Sequence, residues 1–114
     1  VMPSMDGRIR GIATRVPVLT ASLTDLVVQT ERNVSADELN DAFRQAAAAD
    51  LDGILGVTDD PVVSSDIIGT TTSCLIDAAL TEVNDGLVKV VGWYDNEMGY
   101  ASRLAELAVR AGRL

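Results

Sequence analysis

Histidine is missing from all 114 residues, cysteine occurs once, at Cys74, and only four side chains are aromatic: Phe43, Trp93, Tyr94 and Tyr100. Without imidazole the chain can build no Ser-His-Asp or Cys-His pair and no histidine metal site of its own. A single cysteine closes no internal disulfide. Basic residues are outnumbered 9 to 17, for a net charge of −8, so the field repels phosphate backbones and anionic lipid, and neither nucleic acid nor a membrane surface is an expected partner. Long apolar runs are absent too. The longest uncharged stretch, 67–76, is ten residues and holds a glycine, three threonines and a serine, short of the ~20 apolar residues of a spanning helix. Asp6, Arg8 and Arg10 stand where a secretory leader would need its apolar segment. The sequence opens Val1-Met2-Pro3, as a fragment or a trimmed product would. A chain of this size folded as one closed body exposes about 6,000 Å².

Two long helices have readable beginnings. Ser35-Ala36-Asp37-Glu38 is a capping box, in which serine and glutamate side chains satisfy each other's backbone amides. After it, Leu39, Ala42, Phe43 and Ala46 share one face at helical spacing, and the helix is expected to stop between Asp50 and Gly53. The second helix is expected to start at Asp95 or Asn96, run through Leu104, Leu107, Ala108 and Ala111, and end at a left-handed Gly112.

The remainder reads as short strands: Ile9–Val16 and Leu19–Thr30 divided by Pro17, then 53–57, then Ser73–Val83 and Leu87–Tyr94 around the hairpin signal Asn84-Asp85-Gly86. Leu19, Ala21 and Leu23 keep one alternation phase while Leu26 and Val28 take the other, which predicts a bulge or twist near Asp25. Hairpin-linked strands followed by helices give an α+β fold, with a mostly antiparallel, mixed sheet packed against the two long helices.

Few residues invite a chemical reading. Cys74 lies among threonines and apolar residues with no activating base, so it reads as a packing residue. Asp59, Asp60, Asp66 and Asp77 match no calcium-loop spacing and read as solvated acidic surface. Arg15, beside the Pro17 break at a strand end, can project its guanidinium past the sheet and clamp a carboxylate or phosphate, or be an ordinary surface arginine. The densest segment is 93–103, with the only tryptophan and both tyrosines at a strand-to-helix junction. There Asn96 offers an amide suited to a partner carboxamide and Tyr100 a flat face one turn on. The same residues also fit an N-cap asparagine with an aromatic core cluster, and composition does not choose between the two.

Trp93-Tyr94-Asp95-Asn96-Glu97-x-Gly99-Tyr100-x-x-Arg103 resembles the signature near the end of phosphorylating glyceraldehyde-3-phosphate dehydrogenase. Three further colinear motifs are similar to that family: Arg15-Val16-Pro17 with Ser22 and Asp25-Leu26, then Gly53-Ile54-Leu55-Gly56-Val57-Thr58, then Val63-Ser64-Ser65-Asp66. The resemblance implies that residues 1–114 are the C-terminal portion of a catalytic domain, with the dinucleotide-binding domain and the catalytic cysteine and histidine upstream. It implies no catalytic residue here, Arg15 as a contact to substrate or inorganic phosphate, and Asn96 and Tyr100 as contacts to the nicotinamide of NAD or NADP. The expected partners are the rest of the same enzyme, a small phosphorylated aldehyde and further copies in a tetramer, in the cytoplasm. The chain alone is expected to be inactive, with unpaired strand edges and an uncovered helix face. Met98 stands where the family has a larger aromatic, Ile67 where it commonly has phenylalanine, and 69–74 replaces a segment that commonly holds a histidine. The competing reading is a stand-alone α+β module with an assembly or regulatory role and no chemistry.

Overall fold

The computed structural model describes residues 3–113; the expectation attached to Val1 lies outside them. After a 3-10 turn at Pro3–Met5 the chain forms β1 (Ser22–Gln29), α1 (Ala36–Ala47), β2 (Leu55–Thr58), α2 (Ser64–Ile67), β3 (Cys74–Asp77), β4 (Glu82–Asn84), β5 (Leu87–Tyr94) and α3 (Met98–Ala111). The five strands make one mixed sheet in the order β1-β5-β3-β2. Strand β5 is its axis. Along one side it pairs antiparallel with β1 from Ser22↔Tyr94 to Gln29↔Leu87. Along the other it pairs first with β4 and then with β3. The one parallel pair is β2 with β3. An α+β fold with a mostly antiparallel sheet is therefore what the chain adopts.

Strand β5 is the axis because it is the most apolar run, and its pairing with β4 is fixed by a short-range signal. The Asp85-Gly86 pair turns with φ of 49° and 83°, two left-handed residues in succession, as a tight hairpin whose twist matches its strands requires. One sheet face carries Ile76, Val88 and Val90, against which Val34, Leu39, Phe43, Leu55, Val57, Cys74 and Val83 pack. Helix α1 supplies Leu39 and Phe43 to that core. Its beginning is the capping box: Glu38 N–H donates to Ser35 Oγ at 3.1 Å, and Ser35 N–H to Glu38 Oε2 at 2.8 Å.

Several local expectations are corrected. Residues 9–16 form no strand; β-rich side chains favour a pleated neighbour, yet this segment pairs with neither edge strand of the sheet, β1 or β2. The chain runs exposed through 9–19, with Ile12 at 96% and Leu19 at 100% of full exposure. Arg15 is thus in an extended loop and not at a strand end, although Pro17 does sit in a turn, closed by Val18 N–H donating to Val16 O at 2.9 Å. Strand β1 has no bulge; its register is unbroken. Its alternation changes phase because neither face is covered, leaving Leu23 and Val27 exposed on one side and Leu26 and Val28 on the other. The run 73–83 is split by a 3-10 turn at Ala78–Leu80.

Helix α1 ends at Ala47, and the chain then winds through turns to a left-handed Gly53. Its buried stripe is also rotated from the expected one: Ala42 is exposed and Asn40 is buried. Asn40 Nδ2 donates to Ala78 O at 3.0 Å and its Oδ1 accepts from Thr81 Oγ1 at 2.8 Å, which ties α1 to the 3-10 turn. Helix α3 starts at Met98, and Gly112 is right-handed at φ −72°. Only the first turns of α3 dock. Leu104, Leu107 and Val109 are exposed.

The accessible area is 8672 Å², against the roughly 6,000 Å² of a closed body of this mass. The excess lies on residues 9–19, on both faces of β1 and on the outer part of α3.

Candidate functional site

The junction between β5 and α3 is held by one carboxylate. Asp95 is 5% exposed. Its Oδ1 accepts from Glu97 N–H and Met98 N–H, both at 2.9 Å, and its Oδ2 accepts from Gly69 N–H at 2.8 Å. The first two bonds satisfy amides that a helix start leaves without partners. The third crosses to the turn after α2, where Gly69 has φ +84°. These backbone donors, Gly69 foremost and then Met98 and Glu97, hold the Asp95 carboxyl below the usual carboxylate range. Asp95, not Asn96, therefore serves the helix start.

That frees the Asn96 side chain for another task. Its Oδ1 accepts from Thr20 Oγ1 and from Ala21 N–H, each at 3.1 Å. A backbone N–H can only donate, so this pairing fixes which end of the amide faces the loop. The amide nitrogen makes no hydrogen bond within the described residues. Ala21 is held with φ at 76°, a left-handed backbone that a residue with a Cβ seldom adopts. Tyr100 stands one turn into α3 with 71% of its surface exposed, so the aromatic residues of this segment do not form one core cluster. Trp93 is half-buried and donates its Nε1–H to Asp77 Oδ2 at 3.2 Å.

The structure thus brings Asn96 against the loop that leads back to Arg15, five residues before Thr20. Arg15 itself is exposed and makes no hydrogen bond or ion pair among the described residues. Among the described residues no hydrogen bond joins it to Asn96 or Tyr100.

Close backbone approach explains two glycines at the junction. A Cβ on Gly99 would stand 2.8 Å from the Thr72 carbonyl oxygen, and one on Gly92 would stand 2.7 Å from Cys74 Sγ. The first lets α3 abut residues 72–73; the second lets the Cys74 side chain lie over β5. Arg103 adds an anchor, with Nη1 donating to Gly53 O at 3.0 Å and Nη2 to Glu106 Oε1 at 2.6 Å. Burial pushes the Cys74 thiol upward, so it is a packing residue and a poor nucleophile.

The acidic positions do not form a cluster. Asp59 pairs with Arg44 at 2.7 Å, Asp66 Oδ2 accepts from Val63 N–H at 2.8 Å, and Asp77 is 3% exposed against Trp93. Asp77 therefore departs from the solvated reading. Among the described residues no three His, Cys, Asp or Glu side chains converge as a metal site. None of the described helices is long and apolar enough to cross a membrane.

Asn40 and Thr20 have no place among the sequence expectations, whereas Asp95 stands there as one of two alternative starts of the second helix. Asp95 had a readable signal, an acid two and three residues before the first helical amides. Thr20 had none, because its partner lies 76 positions away in sequence.

Comparison with known proteins gives a consistent picture. A family model described as glyceraldehyde 3-phosphate dehydrogenase, C-terminal domain, matches residues 1–96. The chain is 52% identical over 113 residues to glyceraldehyde-3-phosphate dehydrogenase 2 of Streptomyces avermitilis, covering 98% of this chain and 34% of that protein. It is 54% identical over 114 residues to glyceraldehyde-3-phosphate dehydrogenase of Streptomyces coelicolor, with the same coverage of each. With glyceraldehyde-3-phosphate dehydrogenase A, chloroplastic, of Chlamydomonas reinhardtii it shares 52% over 109 residues, 95% of this chain and 29% of that protein. The chain spans about a third of the length of the curated relatives it matches.

Proposed function

The chain belongs to the glyceraldehyde 3-phosphate dehydrogenase C-terminal domain family, and on that premise we propose that it is the closing portion of such an enzyme's catalytic domain, with the dinucleotide-binding domain and the cysteine–histidine segment upstream of residue 1. The whole enzyme would oxidise glyceraldehyde-3-phosphate with inorganic phosphate to 1,3-bisphosphoglycerate, a glycolytic step, as a cytoplasmic tetramer. This portion supplies grip and orientation and no nucleophile.

One observation carries the site assignment: Asn96 bonds Thr20 and Ala21 through its oxygen and leaves its amide nitrogen without a partner among the described residues, four positions before an exposed Tyr100. A polar amide and a flat aromatic face on the same strand-to-helix junction suit the carboxamide and ring of a nicotinamide. Bound NAD or NADP supplies the hydride acceptor. Asn96 then orients the carboxamide, and so which ring face meets the substrate, while Tyr100 borders the ring. Arg15, with no hydrogen-bond or ion-pair partner among the described residues, can clamp a phosphate through two parallel N–H bonds. The rest of a dinucleotide has no counterpart here, since no glycine-rich phosphate loop occurs in the sequence. The total accessible area of 8672 Å², against roughly 6,000 Å² for a closed body of this mass, supports a portion of a larger body over a self-contained assembly or regulatory module.

Complementation tests this reading. The 114-residue chain mixed with aldehyde, NAD and phosphate should give no turnover, and adding the upstream polypeptide should restore it. Turnover by the chain alone would overturn the proposal.

A further inference from the structure

We propose that Asp95 is a positioning residue for Asn96, and through it for the Thr20–Ala21 loop. The inference rests on the reading of Asn96 as a nicotinamide contact for its consequence in turnover, and stands on geometry for the coupling itself. The Asp95 carboxylate makes three backbone hydrogen bonds in two directions, to the start of α3 and to Gly69. Together these fix how the chain turns through 95–98. The Asn96 side chain leaves from the middle of that turn. It reaches Thr20 and Ala21 with a short amide that tolerates little displacement, since a hydrogen bond weakens steeply once distance and angle are lost. At the far end of this chain of contacts Ala21 sits in a left-handed backbone, a conformation that persists only when its surroundings hold it.

A helix start alone would not need this residue. A serine or asparagine caps a helix as well, but neither offers two acceptor oxygens. In Asp95→Asn the side chain keeps its volume, yet its NH₂ must face an N–H donor either at Gly69 or at Glu97 and Met98. In Asp95→Ser a single oxygen remains, suited to the helix end and unable to serve Gly69 as well. Both variants therefore cut one arm of the clamp while leaving Asn96 in place.

Amide hydrogen exchange on the 114-residue chain reads the coupling. In Asp95→Asn, and in Asp95→Ser should the first variant not fold, protection of the Ala21 amide should fall about tenfold together with that of Gly69, the scale of one net hydrogen bond. Loss at Gly69, Glu97 or Met98 with Ala21 unchanged would overturn the proposal, because Ala21 is bonded to Asn96 and not to Asp95. Kinetics in the full-length polypeptide then separate the two readings. Asp95→Asn and Asn96→Ala should each raise the KM for the dinucleotide about tenfold, again one hydrogen bond's worth, with the KM for phosphate within twofold of its starting value. An unchanged dinucleotide KM in Asn96→Ala defeats the nicotinamide reading by itself. An effect in Asn96→Ala without one in Asp95→Asn defeats the positioning role.

Discussion

Asn96 Oδ1 accepts a 3.1 Å hydrogen bond from the backbone N–H of Ala21, a residue held at φ 76°. The start of the C-terminal helix is thereby tied to a left-handed residue at the entrance to β1, 75 positions earlier. Glycine adopts that conformation freely, whereas alanine resists it by about 1–2 kcal/mol.

Ala21→Gly should therefore raise stability. The gain expected in urea unfolding is about 0.5–1 kcal/mol, once the larger entropy of glycine in the unfolded chain is set against the relieved backbone. Ala21→Val should do the opposite, because a branched Cβ fits the left-handed region still less well. A stabilising valine would contradict the strained assignment.

Gly99→Ala should destabilise the chain by about 1–3 kcal/mol, the usual scale of overpacking. The new methyl would stand 2.8 Å from the carbonyl oxygen of Thr72, which is backbone and cannot swing aside. Urea midpoints measure the loss, and Tyr100 fluorescence should report that α3 has shifted.

Gly92→Ala meets a side chain, Cys74 Sγ at 2.7 Å, so its cost should depend on that side chain. In a double-mutant cycle with Cys74→Ala the two changes should couple by about 0.5–3 kcal/mol, with the double variant more stable than the sum predicts. The native thiol, raised by burial, should react slowly with a disulfide reagent at neutral pH and rapidly after unfolding.

Arg15→Ala should leave stability within about 0.5 kcal/mol, as for surface changes away from any bonded feature. In the full-length polypeptide it should weaken phosphate use about 10²-fold, the scale of a charged hydrogen bond. An unchanged phosphate dependence would remove Arg15 from the site.

The depressed carboxyl of Asp95 sets a pH signature. Its folded-state pKa lies below the unfolded value of about 3.9, so its contribution to stability is present above that value and lost as pH falls through the folded one. The stability difference between the wild type and Asp95→Asn should be constant near neutrality and narrow below about pH 4. A difference that is the same at pH 7 and pH 3 would show that the carboxylate charge is immaterial.

How much of this was legible in the sequence depended on the range of the signal. The capping box at Ser35, the Asp85-Gly86 hairpin, the packing role of Cys74 and the α+β class were all readable, since each rests on residues a few positions apart or on composition. Motif resemblance pointed to Arg15, Asn96 and Tyr100. What the sequence by itself determined is this set of local choices and the absence of histidine from these 114 residues.

The tertiary structure decided the rest. Residues 9–16 have strand composition but pair with neither free edge of the sheet, and they stay exposed. The stripe of α1 turns to bury Asn40 because Ala78 and Thr81 offer it partners. Asp95 takes the helix start and leaves Asn96 to bind Thr20 and Ala21. Each of these outcomes depends on hydrogen-bond partners brought close by the sheet register, and a partner dozens of residues away leaves no periodicity in the chain for a reader to find.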